Sequence, residues 1–393
     1  MPTIERKVVS LEKKAFSLDI KKYAMFIALI VIVLFFQVTT DKILLVPMNV
    51  SKLVMQNSYI LILTIGMLPC ILTGNIDLSV GSIVAVIGAV SGTMIISMHQ
   101  PVWLAVCVCL LLGIAIGAWQ GLWIAFVRVP SFIVTLAGML IFRGLTMVIL
   151  DGNTLGPYPA SYQFVAQAFL PDIPGTEGHI TTMLMAILLA AGFVFLEFRK
   201  RKQQIKYGIQ VGGKIAFSFR LAAMAIIILF VSYWLTLFRG MPIILVLLGV
   251  LIIFYSFVTT KTVIGRHIYA LGGNERATEL SGVKTKWVKF AAYVNMGLMA
   301  AVAGLVFSAR LNCAGPTAGN GFELDAIAAC YIGGASATGG VGTVVGAIVG
   351  GLVMGVLNNG MSIMGIGIDW QQAIKGFVLL VAVAFDIYNQ SKK

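Results

Sequence analysis

The sequence predicts an all-α, polytopic transmembrane helical bundle of ten to twelve crossings, with room for broken or re-entrant helices, and three observations predict it. Hydrophobic residues make up 59% of the 393 and charged residues 11%, against about 45–50% and about 25% in soluble domains. The apolar residues fall in runs long enough for the roughly 20 positions that one crossing needs. Those runs are continuous, without the every-second-residue alternation of a membrane β-barrel. Composition therefore excludes a cytosolic enzyme or a disordered chain and makes the lipid bilayer the first partner. The net charge of +13 does not point to nucleic acid, because 22 of the 28 basic residues cluster beside the apolar runs, where the positive-inside rule applies.

Taken in order, residues 1–22 form a basic N-terminal segment with Arg6, Lys7, Lys13, Lys14, Lys21 and Lys22, expected in the cytoplasm. The apolar run near 23–40 follows without a small-residue cleavage pattern, so it reads as a retained anchor. Runs near 53–73, 83–98, 102–126 and 131–150 carry the chain outside at Asp151. The segment 151–179 has no Lys or Arg, carries four prolines, and includes Tyr158, Tyr162, Phe164 and Phe169. It is expected to be a periplasmic docking loop, stiffened by proline and presenting aromatic rings. The run at 180–198 returns to a second basic segment, 199–220. A pair near 221–238 and 241–258 leads to the cytoplasmic loop 259–289, and the run near 290–309 to an outer loop around Leu311–Asp325. A short small-residue stretch at 326–338 and runs near 341–358 and 371–387 complete a transmembrane domain of 23–387. The tail, 388–393, returns inside if the chain crosses one or three times after the outer loop.

Glycine is the second organising signal. Gly113, Gly117 and Gly121 recur every fourth residue, as do Gly342, Gly346 and Gly350, a spacing that lets helix backbones approach closely in lipid; a pore lining is the other reading. Two polar interruptions stand out. Gly74 to Ser82 places Asn75, Asp77 and Ser79 between apolar runs, with Asp77 or Ser79 available as a helix cap, and Gly321 to Asp325 repeats the arrangement before the Gly-rich region. They read either as echoes of a duplication or as polar hairpins at the membrane surface. Arg143, about 18 Å into its helix at 1.5 Å per residue, is expensive unless it faces protein, water or the outer interface; snorkelling outward is the expectation. With Asn358 and Asn359, these polar groups (Asn75, Asp77, Ser79, Arg143) are the candidate translocation path.

Catalytic patterns are missing. The five cysteines are odd in number and irregularly spaced, which reads as buried small hydrophobes and no metal site. His99, His179 and His267 form no HExxH spacing, and no phosphate-binding Gly-x-x-x-x-Gly-Lys-Ser/Thr run occurs. The chain is therefore expected to be no enzyme, to need no cofactor, and to take any ATP-driven work from a partner. The loop from Gly265 to Val283 is the candidate contact. Asn274 is a natural N-cap, Glu275 suits a helix N-terminus, and Gly282 suits a left-handed stop, so Glu275, Arg276, Ala277, Glu279, Leu280 and Ser281 fall on a short surface helix. Arg276 and Glu279 share a face, either as a docking pair or as an intrahelical pair.

Four stretches carry a resemblance: GNIDLSVGSIVAVIGA at Gly74–Ala89, VPSFIVTLAGMLIFRG at Val129–Gly144, GRHIYALGGNERATELSGV at Gly265–Val283, and the Gly-rich run from Phe322 to Met361. The chain resembles the membrane permeases of bacterial ABC importers for monosaccharides, from about Ser51 to Asp386. Its extended N-terminus and its basic segment with a helix pair at about 199–240 make it most similar to the xylose group. The resemblance implies a homodimer or pseudo-dimer in the inner membrane, a cytoplasmic ATP-binding subunit meeting the loop Asn274 to Val283, a periplasmic sugar-binding protein, and a monosaccharide substrate; the charge pattern puts both termini in the cytoplasm. Two other classes stay open on the residues alone. A proton-coupled sugar transporter would use intramembrane ionisable groups, here Asp77, Arg143 and Glu197, and a non-transporting membrane scaffold would accumulate no sugar.

Overall fold

In the computed structural model, residues 20–173, 179–208, 211 and 213–391 are described. Most of the basic N-terminal segment, Glu177, and Lys392 and Lys393 lie outside the described residues. The helices begin with α1 (Ile20–Thr39), α2 (Pro47–Leu72), α3 (Val80–Gly92), α4 (Val102–Leu122) and α5 (Ser131–Leu150). A short α6 (Ala160–Gln167) precedes the long α7 (Ile180–Lys206), α8 (Lys214–Thr236) and α9 (Ile243–Lys261). Two surface helices, α10 (Val263–Gly273) and α11 (Glu275–Leu280), lead to α12 (Thr285–Leu311). The chain ends with α13 (Phe322–Ile332), α14 (Val344–Ile363) and α15 (Ile368–Ser391). Both α3 and α4 finish in a wider π turn, Thr93–Ser97 and Trp123–Val127, and the second stops at Arg128 in the left-handed conformation, φ 67°. Among the described residues nine helices are long and apolar enough to cross a membrane, with α1 contributing a shorter apolar stretch from Met25.

The centre of the bundle is α2, wrapped by α9, α12, α13 and α14, and its C-terminal two-thirds is buried on every side. The glycine stripes serve packing. A Cβ on Gly113 would lie 2.5 Å from that of Ala301, and one on Gly117 would lie 2.9 Å from the Val294 backbone, so α4 and α12 touch main chain to main chain. Gly350 and Gly346 do the same for α14 against Ala329 and Gly333 of α13.

The expected break lies in the last third. At eleven residues, α13 is about 16 Å long, roughly half of a 30 Å hydrocarbon layer. A run of turns, 312–321, precedes it. Lined up antiparallel, α13 and α14 join through the glycine-rich turn 333–343. Adding α1, α15 and this short helix to the nine gives twelve candidate passes among the described residues, the upper end of the range expected from the sequence.

Candidate functional site

The short surface helix α11 forms where its caps demand. Asn274 is extended, φ −161°, and its Oδ1 accepts from the Ala277 N–H at 2.9 Å. The Thr278 hydroxyl donates to the Asn274 carbonyl at 2.8 Å, and the Ser281 hydroxyl to the Ala277 carbonyl at 2.9 Å. Gly282, φ +86°, ends the helix with its N–H on the Glu279 carbonyl at 2.9 Å. Glu275 is ion-paired to Lys289 of α12 at 2.7 Å. Among the described residues Arg276 and Glu279 make no ion pair with each other, and both line a cleft of about 500 Å³ with Asn75, Arg128 and Lys286. Six residues cannot hold a helix alone; here the cap, the buried Thr278 and the Lys289 clamp hold it. Leu280 is 83% exposed, an apolar knob with nothing of its own chain over it.

This element is wired to the centre of the bundle. Helix α10 is capped by Thr262, whose Oγ1 accepts from Gly265. Its Gly272 lies flush on the carbonyl of Leu72, where α2 ends, and beside the Gly340 amide. The Gly340 N–H donates to that same Leu72 carbonyl at 2.9 Å, and the Tyr269 hydroxyl donates to the Gly342 carbonyl at 2.7 Å. The surface pair α10–α11, the end of α2 and the turn between α13 and α14 thus form one contiguous contact.

Asp77 and Ser79 sit just beyond, and both are fully buried. Ser79 stands at the N-cap of α3, but its side chain caps nothing. Asp77 Oδ1 instead accepts the Ser79 N–H at 2.8 Å and its hydroxyl at 2.6 Å, and Ser79 Oγ accepts from Gln120 Nε2 at 2.6 Å. Asp77 Oδ2, Gln120 Oε1 and Ser82 Oγ are buried with no partner among the described residues. Burial pushes the Asp77 carboxyl up to about 6, against the pull of its Ser79 bonds. Asn75 is half-buried, turned back on Thr73, and opens on the α11 cleft. The two motifs read as possible echoes meet in space, since a Cβ on Gly81 would run into the Glu323 carboxylate.

Arg143 Nη1 donates to the carbonyls of Pro316 and Ala318, at 2.9 and 2.6 Å, and so fixes the run of turns before α13, with Glu323 nearby. Asp325, in the first turn of α13, is buried and paired with Lys375 of α15 at 2.9 Å, and Asn358 bonds the same carboxylate. Asn359 points elsewhere: its Oδ1 accepts from Asn49 Nδ2 at 2.8 Å, tying α14 to the start of α2. The six path candidates therefore divide into an Asn75–Asp77–Ser79 group near the surface helices and an Arg143–Asn358 group around α13, with Asn359 outside both. Gln120 and Lys375 were not singled out from the sequence. Each is a lone polar side chain inside an apolar run, and that was the available signal.

At the opposite end, Tyr158 and Tyr162 are 3% and 5% exposed and stack at 4.3 Å. Their hydroxyls bond Ser91, Ser308 and the Gly88 carbonyl. They close the bundle, so two of the four aromatics expected to dock a partner are occupied inside the fold. Phe164 stays exposed, and Phe169 lies edge-on to Phe238.

An all-α bundle with nine helices among the described residues long and apolar enough to cross a membrane, and a capped surface helix wired to its centre, has the build of a membrane permease. Residues 49–383 match a family described as the branched-chain amino acid transport system / permease component, and the chain belongs to that family. It is 42% identical over 370 residues to the xylose transport system permease protein of Escherichia coli strain K12, covering 94% of this chain and 92% of that one. The xylose transport system permease protein of Haemophilus influenzae is 38% identical, covering 96% of this chain and 98% of that one. The ribose import permease protein of Escherichia coli strain K12 is 35% identical, covering 87% of this chain and 86% of that one. No solved structure matches this chain.

Proposed function

We propose that this chain is the membrane-spanning permease subunit of an ATP-driven sugar importer of the bacterial inner membrane, with xylose the favoured substrate. In this reading the basic loops and both termini are cytoplasmic, 151–179 is periplasmic, and two copies work as a homodimer with a cytoplasmic ATP-binding subunit and a periplasmic sugar-binding protein. The observation that carries it is the surface helix α11, capped by Asn274, presenting Leu280, and joined through Gly272 and Tyr269 to Leu72 and to the turn before α14. A partner that pulls on α11 moves α10 as a body, because Gly272 has no side chain to slide past the Leu72 carbonyl. That motion reaches α13, whose far end is held by Arg143 and by the Asp325–Lys375 pair. A half-helix preceded by a run of turns interrupts the regular helix ladder of the bundle, which makes it the element suited to open and close a path. The similar proteins named for xylose transport support the choice of sugar.

The test is uptake into proteoliposomes holding this protein, a twin-cassette ATPase and a sugar-binding protein from the same gene cluster. Labelled xylose should accumulate with ATP and survive an uncoupler. Accumulation abolished by the uncoupler and indifferent to ATP would point to the proton-coupled class, and no accumulation to a scaffold.

A further inference from the structure

The α7–α8 hairpin is absorbed by none of this. It packs on itself and touches the rest of the bundle through α2, a bond from Trp234 Nε1 to the Leu45 carbonyl at 2.8 Å and, at the other end, bonds of Thr181 to Asp172 and of the Met241 N–H to Thr182, and α8 is the least covered of the nine long apolar helices. Its apolar length is that of a bilayer: Ile180 to Phe198 rises about 28 Å at 1.5 Å per residue, so Arg199 to Lys206 stand at the level of the headgroups. Seven basic residues lie between Arg199 and Arg220. Among them are large apolar side chains turned outward, Ile215 at 88% and Phe219 at 77% exposed, with Tyr207 beside them. Cations interleaved with exposed aliphatic and aromatic groups suit a boundary where one side is acyl chain and the other phosphate. Between the helices at this end is a cleft of about 400 Å³ lined by Glu197, Lys200, Arg201, Gln204, Phe217 and Arg220. The Arg201 guanidinium lies 4.4 Å from the Phe217 ring centre and that of Arg220 6.0 Å from it. Glu197 takes Arg220 at 2.6 Å and Lys200 at 3.6 Å, so these two cations share one carboxylate and leave a surplus of positive charge at the cleft.

We propose that this end of the α7–α8 hairpin seats the phosphate of an anionic phospholipid, the two guanidinium groups steadied on Phe217 offering donors and Ile215 and Phe219 lying along the acyl chains. Guanidinium groups match phosphate oxygens in pairs, and each basic residue near an anionic membrane surface is worth roughly a five-fold preference.

The experiment uses the full-length protein in phosphatidylcholine bilayers with spin-labelled phosphatidylglycerol, reading the lipid's association relative to spin-labelled phosphatidylcholine. Several-fold preference is expected at low salt, falling steeply at 0.5 M salt as screening requires. The Lys200→Gln/Arg201→Gln/Arg220→Gln protein should lose most of it, whereas Lys261→Gln/Lys284→Gln/Lys286→Gln should keep it. Full preference in the first variant, its loss in the second, or equal binding of the two lipids by the wild-type protein would each overturn the proposal. So would abolition of the preference by 10 mM inorganic phosphate, which would mark a site for free phosphate. If the first variant fails to reconstitute, Arg201→Gln alone is expected to halve the preference or more, and an unchanged value would overturn it.

Discussion

Gly272→Ala isolates the contact on which the coupling argument rests. A Cβ at this position would overlap the Leu72 carbonyl oxygen and the Gly340 nitrogen outright, and would lie 2.9 Å from the Leu72 carbonyl carbon. All three are backbone atoms, so no rotamer change relieves the clash; α10 must lift off the end of α2 by about 1.5–2 Å to restore ordinary contact. Overpacking of this kind costs about 1–3 kcal/mol, roughly five-fold to 150-fold in the population of the joined arrangement. Gly273, the next residue, is the control, because a Cβ there meets nothing within 4 Å. Both variants should insert in the membrane. Only Gly272→Ala should lose sugar-stimulated ATP hydrolysis with the partner subunits, and only it should lose hydrogen-exchange protection at the Gly340 amide, whose bond to Leu72 is broken. Identical protection and coupling in the two variants would refute the claim that this contact transmits motion.

Four further outcomes follow from the same geometry. Thr278→Pro removes the N–H that donates to Asn274 at 3.0 Å and should cost the helix about 3 kcal/mol, leaving a membrane-inserted protein whose ATPase partner no longer responds to sugar; wild-type stimulation would exclude α11 as the coupling element. Arg143→Lys keeps the charge but loses the planar reach to two carbonyls, and a lost charged hydrogen bond of about 1.5–3 kcal/mol should slow uptake at least ten-fold; unaltered uptake would return Arg143 to a mere charge near the interface. Asp77 holds its proton to about 6 in the fold and to 3.8 ordinarily, so the native state binds the extra proton between those values and stability falls as pH rises through that window, then levels off. Asp77→Asn should abolish that step in a thermal-unfolding series from pH 4.5 to 7.5, and an identical step in both proteins would assign it to another group. Cysteines placed at the exposed Ser161 and Gln203, with Cys107 and Cys313 replaced by Ala, should differ towards an impermeant thiol reagent in whole cells: labelling at 161 alone fits the proposed orientation, and labelling at 203 alone reverses it.

The sequence by itself determined what is decided locally or by the bilayer. Apolar runs mark the spans because lipid offers no partner to a polar group, and each long helix overlaps a run read from composition. The cap at Asn274 and the stop at Gly282 were legible for a similar reason: a side chain bonding its own backbone three residues on needs no distant help, and only a residue without Cβ takes φ +86° cheaply. Tertiary structure decided the partners. Arg143 was readable as an expensive charge, but not the carbonyls of Pro316 and Ala318 that receive it from far along the chain. Asp77 was readable as polar, but its burial against Gln120 was not, and Tyr158 and Tyr162 looked like surface aromatics until Ser91 and Ser308 were brought beneath them. Hydropathy reports how much each residue gains by leaving water and is silent on which neighbour it then meets; that choice depends on how glycine-lined helices close on one another, which only the assembled bundle specifies.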